Sequence, residues 1–399
     1  MDEATFWNAR GIQLQENCHY HAASAAFMHG LQIQRRADIL ANQANNLRML
    51  QDFEPAVELI GESLKAKPTR GRSLWIKGMV AMDMGDLPFA IELLTAAMSF
   101  QPTLAQIQFT RACANLKAGN YLAGFTDYET RGKIRPPIKS EIAPWQGENL
   151  AGKTLLVDME QGMGDAIMFA RYVDRIEGDV ICRVPSPLLR WFRGQGYMAT
   201  PKANAVRADY RALSMSLPVI LGIDEAIKPK TPTRPEQMSI PKKGKFKIGI
   251  VWKSKAQGLE EPEALYHGEQ KSCPLERFLT LAEIPGVQLF SLQTGPAAQD
   301  IERAAGIVEP LLIFDFEDLA GYISGLDMVI SVDTGPLHLA GALGAPSIGV
   351  LPYVGSWQWG IGDRPAWYDN MIMVRQPKPG DWKGAMAQVS AIVEAACGP

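Results

Sequence analysis

Proline recurs every 34 residues through the first third of this chain, at Pro68, Pro102 and Pro136. Phe53, Leu87 and Tyr121 keep the same step, as do Ala56, Ala90 and Gly124, and Gly85 with Gly119, while Tyr20 and Ala23 precede Phe53 and Ala56 by 33. A fixed period of this length constrains folding strongly. Each unit is one supersecondary element that cannot bury its apolar face alone, so neighbours have to stack. Within a unit the order is a helix with a small residue midway (Gly11, Ala44, Gly78, Ala112), a turn, then a helix opening on an aromatic residue or leucine. Residues 1–137 are therefore expected to form about four stacked helix pairs, a scaffold that binds or dimerises. Cys18, His19, His21 and His29 crowd the first unit, but adjacent positions on a helix point apart, so they are read as surface or core residues and not as a metal site.

The unit GMVAMDMGDLPFAIELLTAAMSFQP, residues 78–102, resembles the tetratricopeptide repeat. The resemblance implies a curved all-α solenoid whose concave face holds a peptide or a partner protein.

Residues 134–153, IRPPIKSEIAPWQGENLAGK, break the helical periodicity with proline, glycine and charge, and 138–152 read as a linker. A new pattern then starts. TLLVDM is a strand, EQGMGD a glycine loop, AIMFARYVDRI an amphipathic helix and DVICRV a second strand, so residues 153–240 are expected to form a parallel α/β lobe. Gly162-Met163-Gly164 lacks the third glycine of a dinucleotide fingerprint, which weakens any nicotinamide reading. Asp165 has two readings that can coexist: an N-cap of the following helix, or a carboxylate facing a cleft where it takes a proton from a hydroxyl.

Residues 227–245, IKPKTPTRPEQMSIPKKGK, are rich in proline and lysine and read as the connection to another domain. From residue 241 to 399 the pattern restarts, with FKIGIVWKS a strand, a polar loop segment to Cys273 that contains Lys271, PLERFLTLAEI a helix, VQLFSLQTG a strand, EDLAGYISGL a helix and MVISV a strand. Residues 329–346, VISVDTGPLHLAGALGAP, are the most informative stretch here. A doubly buried strand ends at Asp333, Thr334 or Gly335 caps, Pro336 suits the first helical turn, and Gly344 with Pro346 stops the helix. Such a junction suits phosphate, because unpaired N–H groups and the helix dipole converge on it. A terminal helix near the end of the chain is expected to cross back onto the first lobe.

Composition narrows the rest. A formal charge of −3 and a pI near 6.0 give no electrostatic footprint for nucleic acid. No apolar run approaches the ~18 residues of a membrane span, and the opening MDEATFWNAR lacks the layout of a secretory leader. The five cysteines are scattered and none forms a C-x-x-C pair, which fits a reducing cytoplasm.

GMGDAIMFARY, IGIVWKS, HGEQKSCPLERF, FSLQTG, FDFEDLAGYISGLDMVISVDTGPLHLAGALGAP and the later WQW and WY together resemble glycosyltransferases of the heptosyltransferase group. They are also similar to bacterial relatives of the O-GlcNAc transferase, in which tetratricopeptide repeats precede the catalytic region. The resemblance implies a GT-B fold of two Rossmann-like lobes with parallel sheets, the second, 241–399, holding a nucleotide-sugar donor and the first, 153–240, serving the acceptor. It places the donor diphosphate at Asp333 and Thr334, against backbone N–H groups of Gly335, Leu337 and His338, with Gly164 facing them. Asp165 is the implied base and Lys271 the implied cation for the leaving phosphates, with Lys253 in reserve. Arg364 and Trp357 are secondary candidates, Trp357 belonging to an aromatic cluster with Trp359, Trp367 and Tyr368 that serves either stacking or packing. No Asp-x-Asp occurs in the chain, so fixed cations are expected in place of a metal, and no cofactor besides the nucleotide sugar.

The expected activity is transfer of a sugar, with inversion, to a protein hydroxyl held in the repeat groove, as on flagellin or another surface protein. Two rivals stay open: a non-catalytic adaptor with a degenerate transferase region, and a transferase for saccharide or lipid-linked acceptors whose repeats serve a homo-oligomer. Gly335-Pro336 stands nearer the heptosyltransferase form than the repeat-linked one, which leaves the donor sugar open.

Overall fold

Small residues at the crossing points set how the first helices pair. In the computed structural model, which describes residues 2–66, 71–135, 140–230, 233, 235–240, 246–254 and 262–398, these helices run as α1 (Glu3–Glu16), α2 (Tyr20–Ile33), α3 (Ala37–Met49), α4 (Phe53–Ala66), α5 (Gly71–Asp83), α6 (Leu87–Phe100), α7 (Ala105–Ala118), α8 (Tyr121–Tyr128) and α9 (Arg131–Ile134). The pairs are α1/α2, α3/α4, α5/α6 and α7/α8. A Cβ on Gly11 would lie 2.5 Å from the Phe27 ring, and one on Gly78 would lie 2.8 Å from Leu94 Cγ, so helices this close exclude larger residues there. Gly85 and Gly119 turn the chain with φ near +89° and +88°, a region open to glycine at little cost.

The sequence period reappears as contacts between repeats. Asn42 Nδ2 donates to Asn8 Oδ1 across 34 residues, and Trp75 Nε1 to Thr110 Oγ1 across 35. Pro68 and Pro136, which mark that period, lie outside the described residues.

Contacts divide the chain into two units, Met1–Pro137 with Gly258–His267, and Ile138–Gln257 with Gly268–Pro399. In the first, Tyr266 donates its hydroxyl to the Met49 carbonyl at 2.7 Å and lies edge-on to Tyr20.

The second unit contains two parallel sheets. The first is built from β1 (Ala143–Pro144), β2 (Thr154–Asp158), β3 (Asp179–Val184), β4 (Met198–Pro201) and β5 (Tyr210–Leu213) in the order β1-β5-β2-β3-β4, with α10 (Met163–Val173), α11 (Leu189–Gly194) and α12 (Leu217–Ile220) between strands or after them. Residues 138–152, expected as a linker, supply its edge strand: β1 pairs with β5, and Trp145 is buried, its N–H groups donating to the carbonyls of Arg211 and Glu148. Pro144 is tolerated there because an edge strand has one side free of ladder bonds.

The second sheet uses β6 (Phe246–Val251), β7 (Val287–Ser291), β8 (Val308–Pro310), β9 (Met328–Val332), β10 (Ser347–Leu351) and β11 (Met371–Arg375) in the order β11-β10-β9-β6-β7-β8. Helix α13 (Pro262–Lys271) starts within the first unit and ends in the second, and the helices of this sheet are α14 (Leu275–Leu279), α15 (Phe316–Ile323), α16 (Gly335–Ala342) and α17 (Trp382–Cys397). All five residues of β9 and of β10 are buried, the burial a doubly covered parallel strand requires. Strand order reverses between β6 and β9, so the crevice beyond their carboxyl ends is where a ligand is expected in such a sheet.

Three expectations change. Lys271, expected in a polar loop, ends helix α13, whose sequence opens on proline and runs through good helix formers. The helix after Pro274 is short and continues as a 3-10 turn, Thr280–Glu283. The terminal helix α17 does not cross to the first sheet: Ala385, Met386, Val389 and Val393, spaced as one helical stripe, join the core beneath the second. Residues 231, 232, 234 and 241–245 of the expected connection between lobes lie outside the described set. Among the described residues no helix is long and apolar enough to cross a membrane.

Candidate active site at the carboxyl edge of the second sheet

Strand β9 delivers Asp333 to the edge of the sheet, and Thr334 follows in extended conformation (φ −147°, ψ 165°) as the N-cap of α16. The threonine hydroxyl does not cap the helix; it is bonded to Ser331 Oγ at 2.7 Å. Of the three backbone donors expected at this turn, the N–H groups of Leu337 and His338 bond the Thr334 carbonyl at 3.1 and 3.3 Å. The Gly335 N–H makes no such bond among the described residues.

Gly335 also shows what surrounds the turn. A Cβ there would lie 3.1 Å from Phe316 Cζ, at the start of α15, and 3.6 Å from Met163 Cβ, at the start of α10. The N-termini of α16 and α10, each the positive end of a helix dipole, therefore lie side by side, and the Phe316 ring of α15 reaches the same glycine, while the first N–H groups of α15 are taken by its cap, Asp315.

Two carboxylates and one ammonium answer that field. Lys271 Nζ lies 2.7 Å from Asp333 Oδ2, and Ser356 Oγ donates to the same oxygen at 2.7 Å. Ser254 Oγ, just past β6, donates to the Asp333 carbonyl at 3.1 Å, and its N–H donates to Ser272 Oγ at 3.1 Å. Burial disfavours the charged form of Asp333, but Lys271 and Ser356 outweigh it and hold the carboxyl below the usual range. Burial likewise pulls Lys271 down, and Asp333 more than offsets it, so the ammonium stays charged.

Asp165 stands in the first turn of α10. Its Oδ2 accepts the Gly162 N–H at 3.0 Å and its Oδ1 the Gln358 amide at 3.1 Å. The capping contact and a place at the site thus coexist. Crowding by protein raises its pKa; the two donors oppose the rise, and the Asp333 charge adds to it.

His338 is buried beside Asp165's own helix. Its ring stacks on Trp359 with centroids 4.5 Å apart, its Nδ1 lies 2.9 Å from the Tyr368 hydroxyl, and a Cβ on Gly164 would come within 2.4 Å of its Cδ2. Burial lowers its pKa to about 4, so the imidazole is neutral at pH 7.

The remaining candidates lie elsewhere. Lys253 pairs with Glu269 at 3.0 Å, Arg364 is exposed on the loop before β11, and Trp357 is buried edge-to-face against Trp367. Arg375 donates to the carbonyls of Trp359 and Gly360. Ser254, Ser356, Gln358 and Tyr368 join the site without having been singled out as polar site residues. The signal was present in Ser356 and Gln358, polar residues interleaved with tryptophans just after a buried strand. Among the described residues no cluster of three His, Cys, Asp or Glu side chains is placed to hold a metal.

Residues 290–378, which include the Asp333 turn, Ser356, Gln358 and Tyr368, match the model of glycosyltransferase family 9 (heptosyltransferase). The chain thus joins helical repeats to a region similar to that glycosyltransferase family. It is 25% identical over 388 residues to protein FlbA of Caulobacter vibrioides, covering 85% of this chain and 64% of FlbA. It is 23% identical over 112 residues to human serine/threonine-protein phosphatase 5, 28% of this chain and 22% of that protein. A solved O-GlcNAc transferase mutant from Thermobaculum terrenum aligns at 12% identity over 88% of this chain and 83% of its own, with a TM-score of 0.35.

Proposed function

We propose that the chain moves a sugar from a nucleotide-sugar donor to a hydroxyl of a protein acceptor, with inversion and with fixed cations in place of a metal. The observation that carries this reading is the gathering of two helix N-termini, one fixed ammonium and one crowded carboxylate at the carboxyl edge of a parallel sheet. A departing nucleoside diphosphate gains negative charge as its bond to the sugar breaks, and preorganised donors are most effective where charge develops. Lys271 and the Gly335 N–H supply such donors. Asp165, whose pKa burial raises, in its ionised form takes the proton of the acceptor hydroxyl as the hydroxyl oxygen attacks the anomeric carbon from the face opposite the leaving phosphate. Phe314, 78% exposed just before α15, offers a ring face to the nucleotide base.

The repeats carry the acceptor, flagellin or another surface protein, in a reducing cytoplasm consistent with five free cysteines. Incubating the full chain with a panel of nucleotide sugars and a protein acceptor tests the reading. Release of nucleoside diphosphate coupled to acceptor labelling is expected, and loss of both in Asp165→Ala. Turnover by none of the donors, with acceptor still captured, would convert the reading to that of an adaptor.

A further inference from the structure

We propose that Tyr368 is a positioning residue for His338: its hydroxyl donates to Nδ1, so the imidazole carries its proton on Nε2 and presents a fixed N–H donor to the diphosphate at the first turn of α16. This rests on the donor-site reading above, but its first half is independent of it.

Three contacts hold the imidazole. Trp359 covers one face, the missing Cβ of Gly164 leaves room for the edge that carries Cδ2 and Nε2, and the Tyr368 hydroxyl meets Nδ1 at 2.9 Å. Nε2 has no hydrogen bond among the described residues. Tyr368 is itself fixed. Its ring fills the space over Gly341, where a Cβ would come within 2.5 Å of Cδ1, so residues 338 and 341, about one helical turn apart, both face it. The Arg171 guanidinium lies 4.9 Å from the ring centroid, anchored by bonds from Nη1 to the carbonyls of Ile227 and Trp367 at 2.7 and 3.0 Å.

One proton decides the tautomer. A contact between a phenol and a neutral imidazole has either the O–H or the Nδ1–H as donor. A cation beside a phenol makes its O–H the better donor, and Arg171 is that cation. Burial pushes the Tyr368 hydroxyl up to about 12 and the imidazole down to about 4, so both groups stay neutral at pH 7. The imidazole proton is then on Nε2, where an anionic oxygen can accept it, whereas the other tautomer would turn a lone pair on the phosphates.

Long-range proton–nitrogen correlation on the ¹⁵N-labelled full chain reads the tautomer of His338, assigned with His338→Gln. Wild type is expected in the Nε2–H form, and Tyr368→Phe, which keeps the ring over Gly341, in a mixture or in the Nδ1–H form. Titration with UDP, GDP, ADP and TDP is expected to show the variant binding the preferred nucleotide about tenfold more weakly. Wild-type His338 in the Nδ1–H form overturns the proposal, and this needs no variant to fold. So does an unchanged tautomer or an unchanged affinity in Tyr368→Phe. An Nε2–H form in a wild-type chain that binds none of the four nucleotides supports the Tyr368 contact and overturns the donor-site reading.

Discussion

Lys271 Nζ and Asp333 Oδ2 lie 2.7 Å apart, tying the last residue of α13 to the turn that opens α16. Asp333 keeps only 11% of its side-chain surface and Lys271 34%, so the pair is more than a surface bridge and less than a fully buried one. Removing the ammonium leaves the largely buried carboxylate with Ser356 but without its main partner. Lys271→Ala is expected to cost about 1–3 kcal/mol once solvent screening at the lysine is allowed for, and to weaken nucleoside diphosphate binding about 10- to 100-fold. Adding Asp333→Asn should recover most of the melting temperature and none of the binding. Thermal denaturation and calorimetry on the two variants separate these roles.

Asp165 gives a pH signature. Its raised pKa places the acid limb of kcat/KM above the ~3.9 of an unperturbed aspartate, activity falling as pH drops and the base is protonated. The groups that set it are the Gly162 N–H, the Gln358 amide, Asp333 and Lys271. Since the Gln358 amide stabilises the ionised form, Gln358→Leu should move the limb to higher pH, and a limb that stayed in place would contradict the assignment.

The same residue gives a stability prediction of opposite sign to its activity. A carboxyl with a raised folded-state pKa binds its proton more readily in the folded chain, so its contribution to stability falls as pH rises through the unfolded and then the folded value. Above the folded value the ionised group is therefore a cost. Asp165→Asn keeps an acceptor for the Gly162 N–H, and should raise the melting temperature while lowering turnover at least about 10²-fold. A lower melting temperature at pH 7 would count against the crowding of this carboxyl.

Gly164→Ala places a methyl 2.4 Å from His338 Cδ2, with the ring backed by Trp359 and unable to retreat. A loss of about 1–3 kcal/mol is expected. Nucleotide affinity should fall with it, because His338 shares the first turn of α16 with Gly335. Unchanged affinity would place His338 outside donor binding.

Much of the fold could be read from residues alone. The 34-residue step of prolines and small residues specified helix pairs, since Gly11 and Gly78 stand where helices touch, and the run 328–332 specified a doubly buried strand. The edge strand at Ala143–Pro144 was hidden, because a two-residue strand has no periodicity. The destination of α17 was hidden too, since an apolar stripe does not say which sheet it covers. At the site, the Asp333 turn and Asp165 carried local signals of their own, and Lys271 entered through the family resemblance alone. Ser356, Gln358 and Tyr368 were visible only as members of a tryptophan-rich stretch, and their roles were not: each acts by reaching a partner between 23 and 193 residues away, and a single chain read in order shows no such pairing.

Lys271 and the Asp333 corner are proposed to hold a pyrophosphate. Isothermal titration of the full chain and of Lys271→Ala with UDP, GDP, ADP and TDP, each with and without EDTA, measures it most directly. At least one nucleotide should bind wild type equally well with EDTA present, and bind the variant at least about tenfold more weakly. Binding by none of them, or binding that ignores Lys271, would contradict the account.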